Sequence, residues 1–484
     1  MKNIKDLAPE ILWKYFDEIL KIPRLSKNEE KIIDYLMKFG QDHDLETIKD
    51  SSGNIVIKKN ATTGFENRKT VVLQSHMDMV GEKDDKITHN FMTDPIKAYI
   101  DGDWIKSEGT TLGADDGIGI AAQLAILSSS EVKHGPLECL FTVDEESGLT
   151  GAKNLPGDFI KGEILLNLDS EDEGELFIGC AGGMDTIGLF TINLKKPPSK
   201  LRYFKISVKG LRGGHSGDEI HKYLGNAIKI MNRFLWGISK KFGARLSHFS
   251  GGSLRNAIPR EATATIGITA KETDDFNEFL DQYYFNIKNE IGKQEPAFTM
   301  ESNEVDRPAH LYDKKSQKNL LNALYALPHG VISWSQTIEN LVETSTNLAV
   351  VQKKKDILTI TTSQRSSLDS AKRDISNRVE SIFTLAGAHT EKSNGYPGWV
   401  PDNDSEILAI TRETYSQLFN DDPKVKAIHA GLECGLFLEK YPNLDMISFG
   451  PTIKGAHTPQ ERLHIESTRK FWELLLHVLQ RIPE

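Results

Sequence analysis

The chain contains few cysteines and no long apolar run, and these two absences exclude several classes of protein. Its 484 residues include only three cysteines, Cys139, Cys180 and Cys434, which are widely spaced and form no CxxC pair. This spacing argues against a disulfide framework and against a zinc site built from thiolates. No run approaches the roughly 18 apolar residues that a membrane-spanning helix needs, so we expect no membrane partner.

The sequence also lacks the basic stripe that a phosphate-binding surface needs, and its net charge is -10. We therefore expect no nucleic-acid partner. The opening stretch "MKNIKDLAPEILWKYFDEIL" lacks the basic start, the apolar centre and the small-residue cleavage site that a secretory signal has. It is instead typical of an amphipathic helix, and a cytoplasmic location is the resulting expectation.

The length of the chain and the order of its apolar segments predict two domains. A chain of 484 residues, 38% hydrophobic and 26% charged, is a globular protein too long for one ordinary core. Strand-like segments alternate with helical ones up to residue 186, which indicates an α/β domain. Residues 187–396 change to the alternating pattern of half-exposed antiparallel strands with helices. Residues 397–484 resume the first pattern, so we expect an α+β domain inserted into the α/β domain.

One buried strand ends in two polar side chains. In "VVLQSHMDMV" the apolar run from Val71 stops at His76, and Asp78 follows two positions later. Successive strand residues alternate between faces, so the two side chains point the same way. One interpretation is a hydrogen-bonded pair that closes a loop. The other is that His76 binds a metal ion while Asp78 fixes its tautomer, and only further ligands can decide between them.

Further acidic residues and a second histidine stand where other strands of the α/β pattern end. Each has a simpler explanation alone, because such residues are usually helix caps or exposed polar groups. Together, histidines and carboxylates at strand ends are the ligands that zinc or a similar divalent ion selects, and they suffice for two ions. These residues are Asp115, Asp116, Asp144, Glu145, Glu146, Asp169 and His457.

The order of these motifs resembles that of the M20 family of di-zinc metallopeptidases and amidohydrolases. The motifs are HxD, GADD, EE, LD, GGHSG and AHTPxE, and the likeness spans about residues 10 to 470. Within that family, "TLGADDGIG", "NAIPR", "IHAGLECGLF" and "YPGWVPDNDS" are similar to stretches of the aminoacyl-histidine dipeptidases. The resemblance implies a two-domain M20 fold, with a mixed-sheet α/β di-zinc catalytic domain and an inserted α+β lid and dimerisation domain.

The resemblance also implies a role for each strand-end residue. His76 and Asp169 would complete one metal site, Glu146 and His457 the other, and Asp115 would bridge them. Glu145 would be the general base, and Asp78 would orient His76. The family often has Asn where this chain has Asp116, which leaves two candidate bridging acids; we prefer Asp115 because it holds the motif position.

Three residues of the inserted domain have family counterparts. His215 of "GGHSG" is similar to the histidine that stabilises the oxyanion of the reaction, often from the neighbouring subunit. Asn256 and Arg365 are similar to residues that bind the substrate carboxylate, which the planar fork of arginine suits. The alternatives are an incidental histidine in a glycine-rich turn and an arginine on ordinary surface.

The resemblance implies a metallo-dipeptidase that hydrolyses Xaa-His and other dipeptides with a free N-terminus. It would use two Zn²⁺ ions per subunit, with Co²⁺ or Mn²⁺ as alternatives, and would form a homodimer through the inserted domain. Another M20 activity, such as that of a tripeptidase, a carboxypeptidase or an N-acyl amino acid deacylase, shares the same metal residues. A catalytically inactive binding protein on the same fold is the remaining alternative.

Overall fold

The structure is a computed structural model that describes residues 3–484, and the chain divides into two compact units. The first unit runs to Cys180 and continues in Trp399–Ala427 and Leu432–Glu484; the second comprises Ala181–Gly398 and Ile428–Gly431. The domain boundaries expected after residues 186 and 396 lie close to two of these transitions. Sequence patterns did not indicate that residues 428–431 belong with the second unit.

The first unit is built on a mixed eight-stranded sheet. Its four central strands are parallel, and buried Val71–His76 lies between two of them, so its apolar run is covered on both faces. The strands follow this order across the sheet: Glu46–Lys49, Ile55–Lys59, Leu137–Thr142, Val71–His76, Ile164–Asn167, Asp445–Ser448, Glu175–Cys180 and Lys424–Ile428.

Parallel strands end at a common edge of the sheet, and this edge gathers the polar residues of the sequence motifs. Asp78 follows the strand Val71–His76, Glu145 and Glu146 follow Leu137–Thr142, and Asp169 follows Ile164–Asn167. The carboxyl ends of parallel strands are where ligands bind in α/β sheets. The fold therefore places the candidate metal ligands at the edge of the sheet where α/β folds usually bind their ligands.

Helices and a small sheet complete the first unit. The second sheet has the order Ile453–Lys454, Arg462–His464, Trp104–Ser107 and Ala98–Asp101. The helices are Glu10–Ile19, Glu30–Asp42, Ala114–Ser128, Glu145–Gly148, Thr150–Asn154, Glu406–Phe419, Glu433–Lys440 and Ile465–Arg481, with a 3-10 turn at Ile4–Asp6.

The amphipathic helix expected at the start of the chain is shorter than the pattern indicated. The α-helix is Glu10–Ile19, and its N-cap position is Pro9, a residue that lacks the N–H that a helix interior needs. Leu12, Phe16 and Ile19 form its buried apolar face. Residues 1 and 2 of the predicted helix lie outside the described residues.

The second unit contains a nine-stranded antiparallel sheet, as its alternating pattern indicated. Eight strands run in the order Thr299–Val305, Leu201–Lys209, Ala262–Thr269, Arg245–Gly251, Val342–Lys354, Ile357–Ser366, Gly182–Thr191 and His389–Lys392, and Gly330–Trp334 pairs with Val342–Lys354. Two short pairs join Leu194–Lys195 with Leu311–Tyr312, and Gly214–His215 with Ala257–Ile258.

Helices cover the apolar face of this sheet. Phe204 of the sheet lies with its ring centroid 5.3 Å from that of Phe276, and Phe234 packs on the same ring. All three rings are buried, and such contacts between aromatic side chains contribute strongly to a core. The helices are Ala227–Lys241, Thr273–Ile291, Lys314–Ala326 and Asp369–Leu385, with 3-10 turns at Ile220–Lys222 and Ala270–Glu272.

All three cysteines are buried, as is usual for free cysteines, which pack as small apolar side chains. Among residues 3–484, no helix combines the length and the apolar character needed to cross a membrane.

Candidate metal centre

His76 lies at the centre of the cluster that the strand ends form. Its Nε2 atom is 3.0 Å from Asp115 Oδ1 and 3.3 Å from Asp169 Oδ1. Its other ring nitrogen, Nδ1, faces Asp78, at 3.2 Å from the backbone carbonyl and 3.4 Å from Oδ1. An Nδ1–H donated towards Asp78 leaves the Nε2 lone pair directed at the two carboxylates, which is the tautomer that a metal ligand needs.

His457 forms a second group around the same aspartate. Its Nε2 atom is 3.0 Å from Asp115 Oδ2 and 2.9 Å from Glu146 Oε2. Asp115 therefore presents one carboxylate oxygen to His76 and the other to His457. Two three-residue groups, each with one imidazole, share this single carboxylate.

Asp78 also positions the turn that carries the paired glutamates. Its carboxylate accepts hydrogen bonds from the backbone N–H groups of Glu145 and Glu146, at 3.0 and 3.2 Å, and from the Ser26 hydroxyl at 2.7 Å. The contact with His76 is thus part of a larger network. Asp78 therefore closes a loop, and its contact with His76 Nδ1 also suits the interpretation in which His76 binds a metal ion.

Glu145 stands beside both groups. It forms a third set with His76 and Glu146, in which the potential ligand atoms lie within 4.8 Å of one another. Withdrawal from solvent raises the pKa of Glu145 well above its ordinary value. A carboxyl group of raised pKa next to a potential metal site is suited to accepting and releasing a proton.

Two residues of the candidate metal centre, one ligand and one neighbour of a ligand, have a left-handed backbone. Asp144, just before Glu145, has φ 53°, and His457 has φ 62°. Such conformations are costly for residues other than glycine and cluster at functional sites. Asp144 is held by its own carboxylate, which accepts hydrogen bonds from the hydroxyl groups of Ser147 and Thr150.

The cluster concentrates negative charge. Burial, together with the charge of Asp115, raises the pKa of Asp169 to about 7. Burial, together with the charges of Asp115 and Asp169, raises the pKa of Glu171 to about 8. Hydrogen bonds with Asp115 and Glu146 raise the pKa of His457 to about 11. These shifts show that the site favours positive charge, which a divalent cation supplies.

The side chains of the cluster fit a pair of divalent ions. Imidazole nitrogens and carboxylate oxygens are the donors that Zn²⁺ takes in catalytic sites. Glu146 Oε1 is buried and has no hydrogen-bond partner among the described residues, so one ligand oxygen remains available. Buried polar atoms normally have partners, and a cation at this position would provide one.

Of the two candidate bridging acids, Asp115 has the appropriate geometry. Although burial opposes its ionisation, hydrogen bonds with His457 and His76 lower the pKa of Asp115. Asp116 instead accepts a hydrogen bond from the Gly119 N–H at 3.1 Å, and burial raises its pKa. Asp116 therefore lies against the following helix, and Asp115 contacts both histidines.

The three remaining site predictions lie in the second unit, where two of them act on the carboxylate of Asp218. His215 Nδ1 is 3.1 Å from Asp218 Oδ2. Although burial opposes it, His215 lowers the pKa of Asp218, and the charge of Arg365 contributes in the same direction. The Asn256 side chain is exposed, and its backbone carbonyl accepts a hydrogen bond from the Ser216 N–H at 2.8 Å. The structure therefore places His215 in contact with Asp218, with Arg365 near enough for its charge to act on that carboxylate, and places Asn256 next to the strand pair that contains His215.

Sequence patterns did not reveal several members of these two networks. Asp218 and His429 in the second unit were missed, although each lies within a motif, "GGHSGD" and "IHAGLECG". Arg24, whose Nη1 donates a hydrogen bond to the Asp78 carbonyl at 2.6 Å, was also missed, because a single arginine in a loop is normally exposed at the surface. Glu461 is the last residue of "AHTPQE", so the motif included it but assigned it no role.

The chain belongs to the M20 peptidase family. The family model described as Peptidase family M20/M25/M40 matches residues 72–481, most of both units. Peptidases of this family are metal-dependent hydrolases that act on peptide bonds. The family, the fold class and the enzyme class predicted from the motifs are thereby confirmed.

Two M20 relatives match the whole chain. The cytosol non-specific dipeptidase of Escherichia coli is 44% identical over 483 residues, which cover 100% of both chains. The crystal structure of aminoacylhistidine dipeptidase from Vibrio alginolyticus is 45% identical and superposes with a TM-score of 0.91, covering 100% of this chain and 99% of that one. A more distant structure, aminopeptidase PepT from Bacillus cereus, shares the fold at 17% identity and a TM-score of 0.57 over 99% of this chain and 100% of that one.

We expect His429 to make the stability of the second unit sensitive to acid. Its Nε2 atom is 2.7 Å from Ser345 Oγ, and burial, followed by the charge of Arg365, lowers its pKa to about 3. The unfolded chain, with an ordinary histidine pKa of about 6.5, binds the proton more readily. The contribution of neutral His429 to stability is therefore complete above about pH 6.5 and is lost as the pH falls towards 3.

We expect the difference in Tm between the wild type and His429→Asn to narrow as the pH is lowered from 7 to 4.5. Each pKa unit of difference between folded and unfolded states corresponds to about 1.4 kcal/mol. Differential scanning calorimetry of both proteins at several pH values measures the effect, with the exposed His477→Asn as control. A difference in Tm that does not change with pH would contradict the assignment of His429.

Proposed function

We propose that this protein is a dipeptidase that hydrolyses Xaa-His and other dipeptides with a free N-terminus, using two zinc ions. The full-length relatives named as dipeptidases, at 44% and 45% identity, support the substrate class. The observation that carries the mechanism is the position of Asp115 between two imidazoles, with one carboxylate oxygen towards each. Co²⁺ and Mn²⁺ suit the same donors.

Each ion of the pair has its own set of ligands. His76 and Asp169 would hold the first, Glu146 and His457 would hold the second, and Asp115 would be shared. When bound, such ions supply Lewis-acid polarisation of the substrate carbonyl and make water acidic enough to attack near neutral pH. The short contacts within each group support this division of ligands.

Glu145 would move the proton. It takes a proton from the attacking water and later delivers it to the nitrogen of the leaving amine, so the carboxyl group ends the cycle as it began. Its pKa, raised by withdrawal from solvent, suits both transfers. Asp78 takes no part in the transfer; it holds His76 by its Nδ1 side and holds the turn of Glu145 by a backbone N–H.

The second unit would bind the substrate. Arg365 is only 8% exposed, and its Nε atom has no hydrogen-bond partner within the described part of the chain, while its Nη1 donates to the Tyr396 hydroxyl at 3.1 Å. A buried guanidinium with an available N–H is suited to the C-terminal carboxylate of a dipeptide. Asn256 would contribute a second polar contact, and His215 would stabilise the oxyanion.

Location and assembly are part of the same proposal. The Escherichia coli relative is named a cytosol enzyme, and we propose a cytoplasmic location for this protein. We also propose a homodimer formed through the second unit, as the likeness to M20 enzymes implies. Sedimentation velocity of the purified protein tests the dimer directly, and a single species of monomer mass would contradict it.

The substrate class is tested by comparing peptides of different length. We expect metal-dependent hydrolysis of β-alanyl-histidine and of several Xaa-His dipeptides, its loss with a chelator, and its return with Zn²⁺, Co²⁺ or Mn²⁺. Tripeptides and N-acyl amino acids serve as the comparison. Preference for a tripeptide or an N-acyl amino acid would replace the dipeptidase with another M20 activity, and no turnover of any substrate would favour a binding protein.

His215→Ala is expected to lower kcat by about 10²–10³, the usual effect of losing one oxyanion donor. KM should change much less, because the interaction develops only in the transition state. Steady-state kinetics with one dipeptide measure both constants, and the exposed His221→Ala of the same unit is the control. Wild-type kcat in His215→Ala would remove this residue from the mechanism.

A further inference from the structure

Glu461 is a buried carboxylate to which the proposed function gives no role. It ends the motif "AHTPQE" that begins just before His457, and only 2% of its surface is exposed. Carboxylates are rarely buried to this extent unless they are paired or hydrogen-bonded. The hydrogen bonds of Glu461 should therefore explain why its carboxylate is buried.

The carboxylate of Glu461 accepts hydrogen bonds from four consecutive backbone N–H groups. Oε2 accepts from Leu112 at 2.7 Å and Gly113 at 2.9 Å, and Oε1 accepts from Ala114 at 2.8 Å and Asp115 at 3.3 Å. Hydrogen bonds to a charged acceptor are about twice as strong as neutral ones. Glu461 thus holds the whole turn that ends at Asp115.

Arg24 holds the carbonyl side of the same region. This side chain is also 2% exposed; its Nη2 donates to the Gly113 carbonyl, and its Nη1 donates to the carbonyls of Met77 at 3.0 Å and Asp78 at 2.6 Å. The turn is therefore held through its N–H groups by one charged side chain and through its carbonyl by another. Arg24 also connects it with the residues that follow His76.

The turn itself has little freedom. Gly113 has φ 72°, and a Cβ atom there would lie 2.8 Å from Arg24 Nη2. Only glycine takes this conformation at low cost, and no other residue would fit against the guanidinium. The backbone that leads into Asp115 is therefore fixed by packing as well as by hydrogen bonds.

We infer that Glu461 is a positioning residue for the metal centre, which aligns the Asp115 carboxylate between His76 and His457. The inference rests on the proposed metal centre. The loop that carries His457 also carries Glu461, so the loop of one ligand fixes the backbone of the shared ligand. Any displacement of this turn would move Asp115 away from both imidazoles at once.

The substitution Glu461→Gln separates the hydrogen bonds that the Glu461 carboxylate accepts from the space that its side chain fills. The side chain keeps its size, but its NH₂ group cannot accept and would face two of the four N–H donors. Loss of a residue that orients metal ligands typically weakens metal affinity by about 10–100-fold. We expect a loss of this size for both ions in Glu461→Gln, measured by titrating the metal-free protein with Zn²⁺ against a chromogenic chelator.

Glu138→Gln is the matched control. Glu138 is a buried carboxylate of the same unit that accepts hydrogen bonds from the backbone N–H groups of Lys161, at 2.6 Å, and Gly162, at 3.0 Å. It lies near the start of the strand Leu137–Thr142, whose other end leads to the metal ligands. We expect Glu138→Gln to lower Tm and to bind Zn²⁺ as the wild type does.

Equal Zn²⁺ affinity in Glu461→Gln and Glu138→Gln would overturn the inference and leave Glu461 a purely structural residue. If Glu461→Gln does not fold, hydrogen exchange of the wild type gives the answer. The amides of residues 112–115 should then be protected in the metal-free protein, and rapid exchange that slows only after Zn²⁺ is added would contradict prior positioning. A wild type that binds no divalent ion would instead overturn the proposed function itself.

Discussion

Glu145→Ala is expected to lower kcat by about 10²–10⁴, the usual contribution of a general base, without loss of bound metal. The reason is that Glu145 belongs to the cluster but not to the two groups that share Asp115. Its removal takes away the group that accepts the proton of water and leaves both sets of ligands in place. Steady-state kinetics together with elemental analysis of the same preparation measure the two properties.

Glu146→Ala is the matched contrast for this experiment. The two glutamates are neighbours in one short helix, and Asp78 holds both backbone N–H groups. Glu146 contacts His457 at 2.9 Å, so its removal should reduce the metal content. Loss of metal from Glu145→Ala would make Glu145 a ligand, and a kcat within threefold or so of wild type would exclude it as the base.

Asp115→Asn is expected to lose both ions, because its two carboxylate oxygens face different imidazoles. An amide has one weaker acceptor oxygen, and its NH₂ group would repel one cation. We expect the metal content to fall from about two ions per chain to less than one, with hydrolysis reduced at least about 10³-fold, as for loss of a complete catalytic unit. Elemental analysis after gel filtration gives the metal content.

The neighbouring Asp116→Asn controls for burial and charge at the same place. Asp116 is even more deeply buried than Asp115, but its carboxylate faces the Gly119 N–H. We expect this variant to keep both ions. If Asp116→Asn loses both ions and Asp115→Asn retains them, the roles of the two acids are exchanged.

The sequence could predict the parts of the site that depend on local order. The buried strand before His76 and the ends of the other parallel strands predict that their polar residues share one sheet edge, and the structure brings these residues together. The strand pattern also singled out His457, but only the likeness to a family paired His457 with Asp115. The antiparallel character of the second unit followed from the alternation of apolar and polar residues.

Other parts depend on contacts that no periodic pattern records. Leu112 and Glu461 are 349 positions apart, and nothing near either residue indicates that one holds the backbone of the other. His429 likewise lies 2.7 Å from Ser345, 84 positions earlier in the chain, and only the folding of distant segments brings the two side chains together. The length of the first helix was overestimated because the helical spacing of apolar residues extends to the N-terminal side of Pro9, the residue just before the α-helix begins.

The central claim is that two ions bind on either side of Asp115, and anomalous X-ray diffraction from Zn²⁺-loaded crystals tests it most directly. We predict two anomalous peaks per chain, both about 2.0–2.2 Å from an oxygen of Asp115, the usual zinc–carboxylate distance. One peak should also contact His76 and Asp169, and the other Glu146 and His457. A single peak, or peaks that do not share Asp115, would contradict the account.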